Sequence, residues 1–324
     1  MSSSWKILAA DIGGTSSRFA SFTAFGKGEL RHEASQWLST EEASSFEGLL
    51  KGLGETPFPL RPEEADMAVI AVAGPVEGGR RSSPPNISWD IDLDLGGSPS
   101  LPPRAVLIND FFAQAFATIS PVAASAERIL DGEAAAEGAI AVIGAGTGLG
   151  HAALVPDGRG AYLAVPSEKG HAAFPLVMPG EEEYLAFHAS RTGDPYPRGD
   201  TILSGRGMAL LHAFLTGEEL TPEEITPRLT RASETVSWFS RFYGRACRDY
   251  ALAVLGRGGV YIAGGLAART PELVRHQAFA EEFRKSPTMG DLLAKIPVFL
   301  IHEQESGLWG AARFGLQELE AGGE

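Results

Sequence analysis

A chain of 324 residues with a formal net charge of −14 repels phosphate polymers, which works against tight, unspecific binding to nucleic acid or to an anionic membrane and leaves room only for a local basic patch. Its 44% hydrophobic and 21% charged content is that of a globular protein able to bury a core, and the length predicts two domains with a cleft between them. The single cysteine, Cys247, excludes an intramolecular disulfide and a cysteine zinc site, and reads as a small apolar filler in a helix.

The start lacks the long apolar segment of a signal peptide, and no run reaches the ~18 apolar residues of a membrane span, so a cytoplasmic location is expected. Residues 6–10 form a short apolar run ending at Asp11-Ile-Gly-Gly-Thr15, and extended character resumes over 18–23: a β-hairpin with a glycine turn. Residues 30–38 supply a third strand. Phe46, Leu49, Leu50 and Leu53 recur at helical spacing, which predicts a helix over 41–54 with Thr40 as N-cap. The apolar runs 67–73 and 105–108 read as buried parallel strands, the second closed by Asn109-Asp110. Residues 84–103, rich in Pro, Gly, Ser and Asp, read as loop.

Residues 111–118 are helical by composition. A strand over 138–143 then runs into Gly144-Ala-Gly-Thr-Gly-Leu-Gly150, and segments 151–155 and 161–165 pair across Pro156-Asp-Gly-Arg-Gly160. Strand, glycine turn and strand thus occur near residue 13 and again near residue 146, which predicts two halves built from one kind of unit. Residues 181–255 read as mostly helical, 259–263 as a strand into Gly264-Gly265, 271–283 as a helix, 296–301 as a strand and 306–319 as a last helix belonging to the first half.

Two glycine turns point to phosphate. Glycines let backbone amides approach phosphate oxygens, Thr15 adds a hydroxyl, and Asp11 can hold a hydrated magnesium ion. The second loop is followed by a strand where a dinucleotide fold needs a helix, and no G-x-x-x-x-G-K-[ST] occurs, so neither the Rossmann nor the P-loop reading holds. Asp11, Gly13, Gly14, Thr15, Gly144, Gly146, Thr147, Gly148, Gly264 and Gly265 are the expected ATP contacts, the last two beside the nucleoside. Asp110 stands just past a buried strand, where α/β sheets place ligands, and suits a base that takes the proton of an attacking hydroxyl. Pro166-Ser-Glu-Lys-Gly-His171 brings a carboxylate and an imidazole together around Gly170, a pairing that suits a small polyol. The remaining histidines show no metal-ligand spacing.

Together, Asp11-Ile-Gly-Gly-Thr15, Asn109-Asp110-Phe111, Gly144 to Gly150, Pro166 to His171, Leu203-Ser-Gly205, Ala263-Gly-Gly265 and Gly307-Leu-Trp-Gly-Ala311 resemble, in order and spacing, the bacterial glucokinase family. The resemblance covers roughly residues 5–317. It implies an α/β chain with the two-domain actin-like ATPase (ribonuclease H-like) fold and a central cleft. The expected small domain is 1–118 plus 303–324 and the large one 119–302. It implies ATP with Mg2+ as phosphoryl donor, commonly a homodimer, and glucose bound by Asn109, Asp110, Glu168 and His171, with Asp110 as catalytic base and the product glucose 6-phosphate. Two departures stand out: Asp200 occupies the place of a usual glutamate ahead of Leu203-Ser-Gly205, and Ser167 and Lys169 replace usual glycines. A carboxylate one methylene shorter leaves a glucose/mannose kinase as an alternative, alongside a sugar sensor without transfer activity and an ATPase of the same fold. The related sugar-kinase and repressor subfamily, with its cysteine zinc site, is disfavoured by the lone Cys247.

Overall fold

Alternating apolar residues and two turns fold the start of the chain into a meander of β1 (Ser4–Ile12), β2 (Ser16–Phe25) and β3 (Glu29–Ser39). The computed structural model describes residues 4–26, 28–94 and 100–322. β4 (Met67–Val72), the short pair β5 (Arg81–Ser82) and β6 (Ile91–Asp92), and β7 (Ala105–Asn109) follow. β4 and β7 join β1 in parallel to give a five-stranded sheet of order β3-β2-β1-β4-β7. Because successive strand residues face opposite sides, Ile7, Ala9, Val69 and Ala71 enter one core while Leu8, Ala10, Ile70 and Val72 enter another. Both faces are therefore covered, as a parallel sheet requires.

Helix Phe46–Gly54 covers one face with Phe46, Leu49, Leu50 and Leu53, each of whose burial contributes about 1.5–3 kcal/mol. Its start corrects the sequence expectation: Ser45, not Thr40, is the N-cap, accepting from the Gly48 amide at 3.0 Å. Thr40 is instead buried against Ser17, its hydroxyl 2.6 Å away, and its amide donates to the Thr15 carbonyl. The residue read as a helix cap thus braces the first glycine turn. On the other face, helix Asp110–Ala117 packs with the last helix, Ser306–Ala321.

The remainder repeats the plan. β8 (Glu127–Leu130), β9 (Ile140–Ala145), β10 (Leu149–Pro156), β11 (Tyr162–Ser167), β12 (Gly259–Ala263) and β13 (Val298–Leu300) form a sheet of order β11-β10-β9-β12-β13-β8. Set β8 aside and the two sheets have one topology: an antiparallel meander of three strands, then two strands parallel to the first. The helices between β11 and β12 include Glu181–Thr192, Gly205–Thr216 and the long Glu234–Ala253, which buries Phe239, Phe242, Tyr243 and Cys247. The single helix expected over 271–283 is two, Glu272–Arg275 and Gln277–Arg284, separated at His276, whose ring accepts from the Ala278 amide as the second helix's cap. The chain divides into two compact units, Met1–Ala124 with Glu305–Glu324, and Ser125–Gln304. No helix among the described residues is long and apolar enough to cross a membrane.

Candidate active site

In the first unit the candidate residues gather at the carboxyl ends of parallel strands. Ile12, Val72 and Asn109 lie in one row across β1, β4 and β7, so the turn 13–15, Gly74 and Asp110 all follow at the same sheet edge. That edge is where open α/β sheets bind ligands. The turn is closed by the Gly13 amide donating to the Ser16 carbonyl at 3.2 Å.

Asn109 caps the helix that Asp110 opens. Its side-chain oxygen accepts from the amides of Phe111 and Phe112, while its Nδ2 donates to the Gly74 carbonyl at 3.1 Å and to Asp110 Oδ1 at 2.9 Å. Asp110 Oδ1 also accepts from the Phe111 amide at 2.9 Å. Two donors on one oxygen fix the carboxylate's rotamer, a requirement for a base that must meet a hydroxyl in one geometry. Asp11 pairs across the hairpin with Arg18, 3.8 Å from Oδ2, and the Arg18 guanidinium stacks on Trp37. Burial pushes the Asp11 carboxyl above its ordinary value, and Arg18 opposes that shift, although 29% of the side chain remains exposed.

The second unit holds the second glycine turn. β9 ends at Ala145 and β10 begins at Leu149, so Gly146-Thr147-Gly148 alone makes the bend, with the Gly146 amide donating to the Gly148 carbonyl at 2.9 Å. Gly144, expected in the loop, lies inside β9, opposite Gly150 on one side and Ala263 on the other; its backbone belongs to the ladder. Gly264 follows β12 at the same edge with φ +90, and a Cβ there would sit 2.9 Å from the Ala145 carbonyl oxygen, so only glycine lets the two strand ends approach this closely. The helix Gly205–Thr216 starts beside them, the Gly205 amide donating to the Gly146 carbonyl at 3.0 Å. Gly146, Thr147, Gly148, Gly264 and Gly265 are therefore brought together.

So are the residues assigned to the polyol. The turn Lys169–His171 seats on the start of β10, where Gly170 packs directly on the Leu149 carbonyl. His171 lies 3.6 Å from Glu168 Oε2 through Nε2 and 3.6 Å from Asp200 Oδ2 through Nδ1. Asp200 stands on the short helix Gly199–Ile202 beside Gly148, whose added Cβ would lie 3.6 Å from the Asp200 Cβ. Asp200 Oδ1 is buried with no hydrogen-bond partner among the described residues. An unpaired buried carboxylate oxygen is costly, which makes it a site for a donor from outside the chain.

One residue escaped the sequence reading. Arg198 lies 3.2 Å from Asp194 Oδ2 and 3.7 Å from Asp200 Oδ2, so it holds the oxygen of Asp200 that His171 also faces. Its position two residues before Asp200 was the available signal.

Beneath this cluster His151 on β10 is 2% exposed and meets the Tyr250 ring edge-on at 4.7 Å. Desolvation, with Lys169 nearby, pulls its pKa down to about 3. A base whose folded pKa is depressed gives stability that is complete above the unfolded value of about 6.5 and is lost as pH falls toward 3. Between pH 7 and pH 5 the loss attributable to His151 should be about 2 kcal/mol. Urea denaturation of wild type and His151→Gln at both pH values measures it; equal pH slopes would assign the effect elsewhere.

The glucokinase family model matches residues 8–318. The chain belongs to the glucokinase family. The Nitrobacter hamburgensis glucokinase is 32% identical over 330 residues, covering 96% of this chain and 97% of that protein. Among solved structures, the glucokinase of an Antarctic psychrotroph superposes with a TM-score of 0.81 at 28% identity, over 96% of this chain and 99% of that one. The Streptomyces griseus glucokinase in complex with glucose and AMPPNP superposes with a TM-score of 0.61 at 20% identity, over 96% of this chain and 99% of that one; that likeness concerns the fold. Family and fold agree with the duplicated sheets: this glucokinase-family chain has the two-domain actin-like ATPase fold.

Proposed function

We propose that the protein transfers the γ-phosphoryl group of ATP to the 6-hydroxyl of glucose. The observation that carries the reading is the cluster of Glu168, His171 and Asp200, in which Asp200 Oδ1 is buried with no donor among the described residues. A sugar hydroxyl supplies that hydrogen bond. Asn109 and Asp110 of the first unit and Glu168, His171 and Asp200 of the second are the residues assigned to the sugar. Asp110 takes the proton of the 6-hydroxyl as that oxygen bonds to the γ-phosphorus; the bond to the β,γ-bridging oxygen breaks and ADP leaves. Backbone amides of the turns 13–15 and 146–148 meet the phosphates, with Gly264 and Gly265 beside the nucleoside.

Among the described residues no group of three or more His, Cys, Asp or Glu side chains forms a metal cluster. Magnesium bound through phosphates and water with one protein carboxylate fits that donor set, and Asp11, desolvated and 3.8 Å from the Arg18 guanidinium, is the carboxylate placed for it. When bound, the ion neutralises phosphate charge during transfer.

Coupled measurement of ADP release across a panel of hexoses tests the reading. Glucose should be turned over, and sugar-free ATP hydrolysis should be far slower; vigorous hydrolysis unaffected by hexose would overturn it. Glutamate at position 200 would reach one methylene further, and one more buried hydrogen bond to the sugar contributes about 1–3 kcal/mol. Asp200→Glu should therefore raise the glucose-to-mannose ratio of kcat/KM by roughly one to two decades. An unchanged ratio would mean that the backbone of the helix Gly199–Ile202 already compensates.

A further inference from the structure

Residues 84–89 join the two functional groups of the first unit, and nothing in the reading above uses them. A Cβ on Gly14 would lie 2.9 Å from both the Cβ and the carbonyl oxygen of Asn86, so the Asn86 side chain starts in contact with the turn assigned to phosphate. Next to it, Pro85 Cδ lies 3.1 Å from where a Cβ on Gly74 would be, and the Gly74 carbonyl accepts the Asn109 Nδ2 hydrogen bond that is shared with Asp110 Oδ1. One dipeptide therefore touches the phosphate turn through Asn86 and the carrier of the base's hydrogen bond through Pro85.

The loop does not need the Asn86 side chain to hold its shape. Ile87 and Trp89 pack against the core, Trp89 Nε1 donates to the Ala43 carbonyl at 2.9 Å, and the Ile87 amide donates to the Pro84 carbonyl at 3.2 Å. Asn86 is exposed and its carboxamide makes no hydrogen bond to the described residues. An anchored loop with a free amide donor over a phosphate turn is preorganised for an anion that arrives later.

We propose that the Asn86 carboxamide donates a hydrogen bond to the phosphoryl group during its transfer, as a second catalytic residue beside Asp110; this rests on the kinase reading above. Negative charge on the equatorial phosphoryl oxygens is met by positioned donors, and loss of one such donor lowers kcat by about 10²-fold. Aspartate has nearly the shape of asparagine but carries charge in place of the N–H donors, so the two roles separate cleanly.

Asn86→Ala and Asn86→Asp are compared with wild type for kcat, KM for glucose, glucose Kd and Tm. The expected result is a kcat lowered about 10²-fold in Asn86→Ala and further in Asn86→Asp, with glucose Kd within threefold and Tm unchanged. Asn86→Asp retaining wild-type kcat, or a kcat loss accompanied by an equal loss of glucose affinity or a lowered Tm, overturns the proposal, since shape or folding would then be what Asn86 supplies. Wild type failing to phosphorylate glucose would overturn the kinase reading itself, a separate outcome.

Discussion

Asp110→Asn should lower kcat by about 10²–10⁴-fold while glucose binds within a few-fold of wild type. Asparagine keeps an oxygen that can accept from the Phe111 amide and from Asn109 Nδ2, so the cap and the helix Asp110–Ala117 survive the change. What it lacks is a site for the hydroxyl proton. The Asn109 contacts to Gly74, Phe111 and Phe112 involve no atom of residue 110's side chain, which is why sugar affinity is expected to persist. Stopped-flow transfer and equilibrium glucose titration on one preparation separate the two quantities. A variant with more than a tenth of the wild-type kcat would remove Asp110 from the role of base.

Arg245→Met should destabilise the second unit by about 3–5 kcal/mol, the cost of breaking a buried ion pair from one side. Arg245 is fully buried on helix Glu234–Ala253 and donates to Glu181 through both NH groups at 2.7 and 2.9 Å, to Glu282 at 2.9 Å and to the Pro175 carbonyl at 2.6 Å. Burial alone would raise Glu181, yet hydrogen bonds from Arg245 and from the Met178 and Val177 amides hold it below its ordinary value. Methionine matches the stem but leaves two carboxylates, Glu181 and Glu282, facing the gap. For a unit of this size the loss corresponds to about 6–20 °C in melting temperature. Calorimetry reads it directly, and a shift below about 2 °C would show that Arg241, 3.3 Å from Glu181, takes over as partner. The Pro175 carbonyl lies four residues after His171, so the variant should also loosen the segment that carries Glu168 and His171 and, on the proposed reading, raise KM for glucose.

Legibility followed the range of the interactions. The hairpin turns at 13–15 and 146–148 could be read because glycine stands between apolar alternations, a signal contained in a dozen residues. Glu168 and His171 were legible as spatial neighbours because they stand three residues apart around Gly170, and their side chains lie 3.6 Å apart. β8 could not: Glu127–Leu130 is four residues long with mixed polarity, and its strand character comes from pairing with β13. The Arg245 network was equally hidden, since Arg245 and Glu181 are 64 positions apart. Thr40 was misread because Thr is a good cap in isolation, whereas its hydroxyl is taken by Ser17 across the neighbouring strand. Asn86 carried no pattern at all; only its approach to Gly14 marks it.

The helix Ser306–Ala321 lies on β1 and β4 and against the helix Asp110–Ala117, with Gly310 packed directly on the Ala113 carbonyl and Gly315 against Val69 and Ile7. During synthesis that helix emerges after the rest of the first unit and after the whole of the second. The first sheet must therefore wait, with one apolar face uncovered, until residues 306–321 have been made, while the intervening 180 or so residues emerge as a contiguous block able to fold earlier. A chain cut short near residue 305 would leave β1 and β4 without that helix, open to chaperones and proteases.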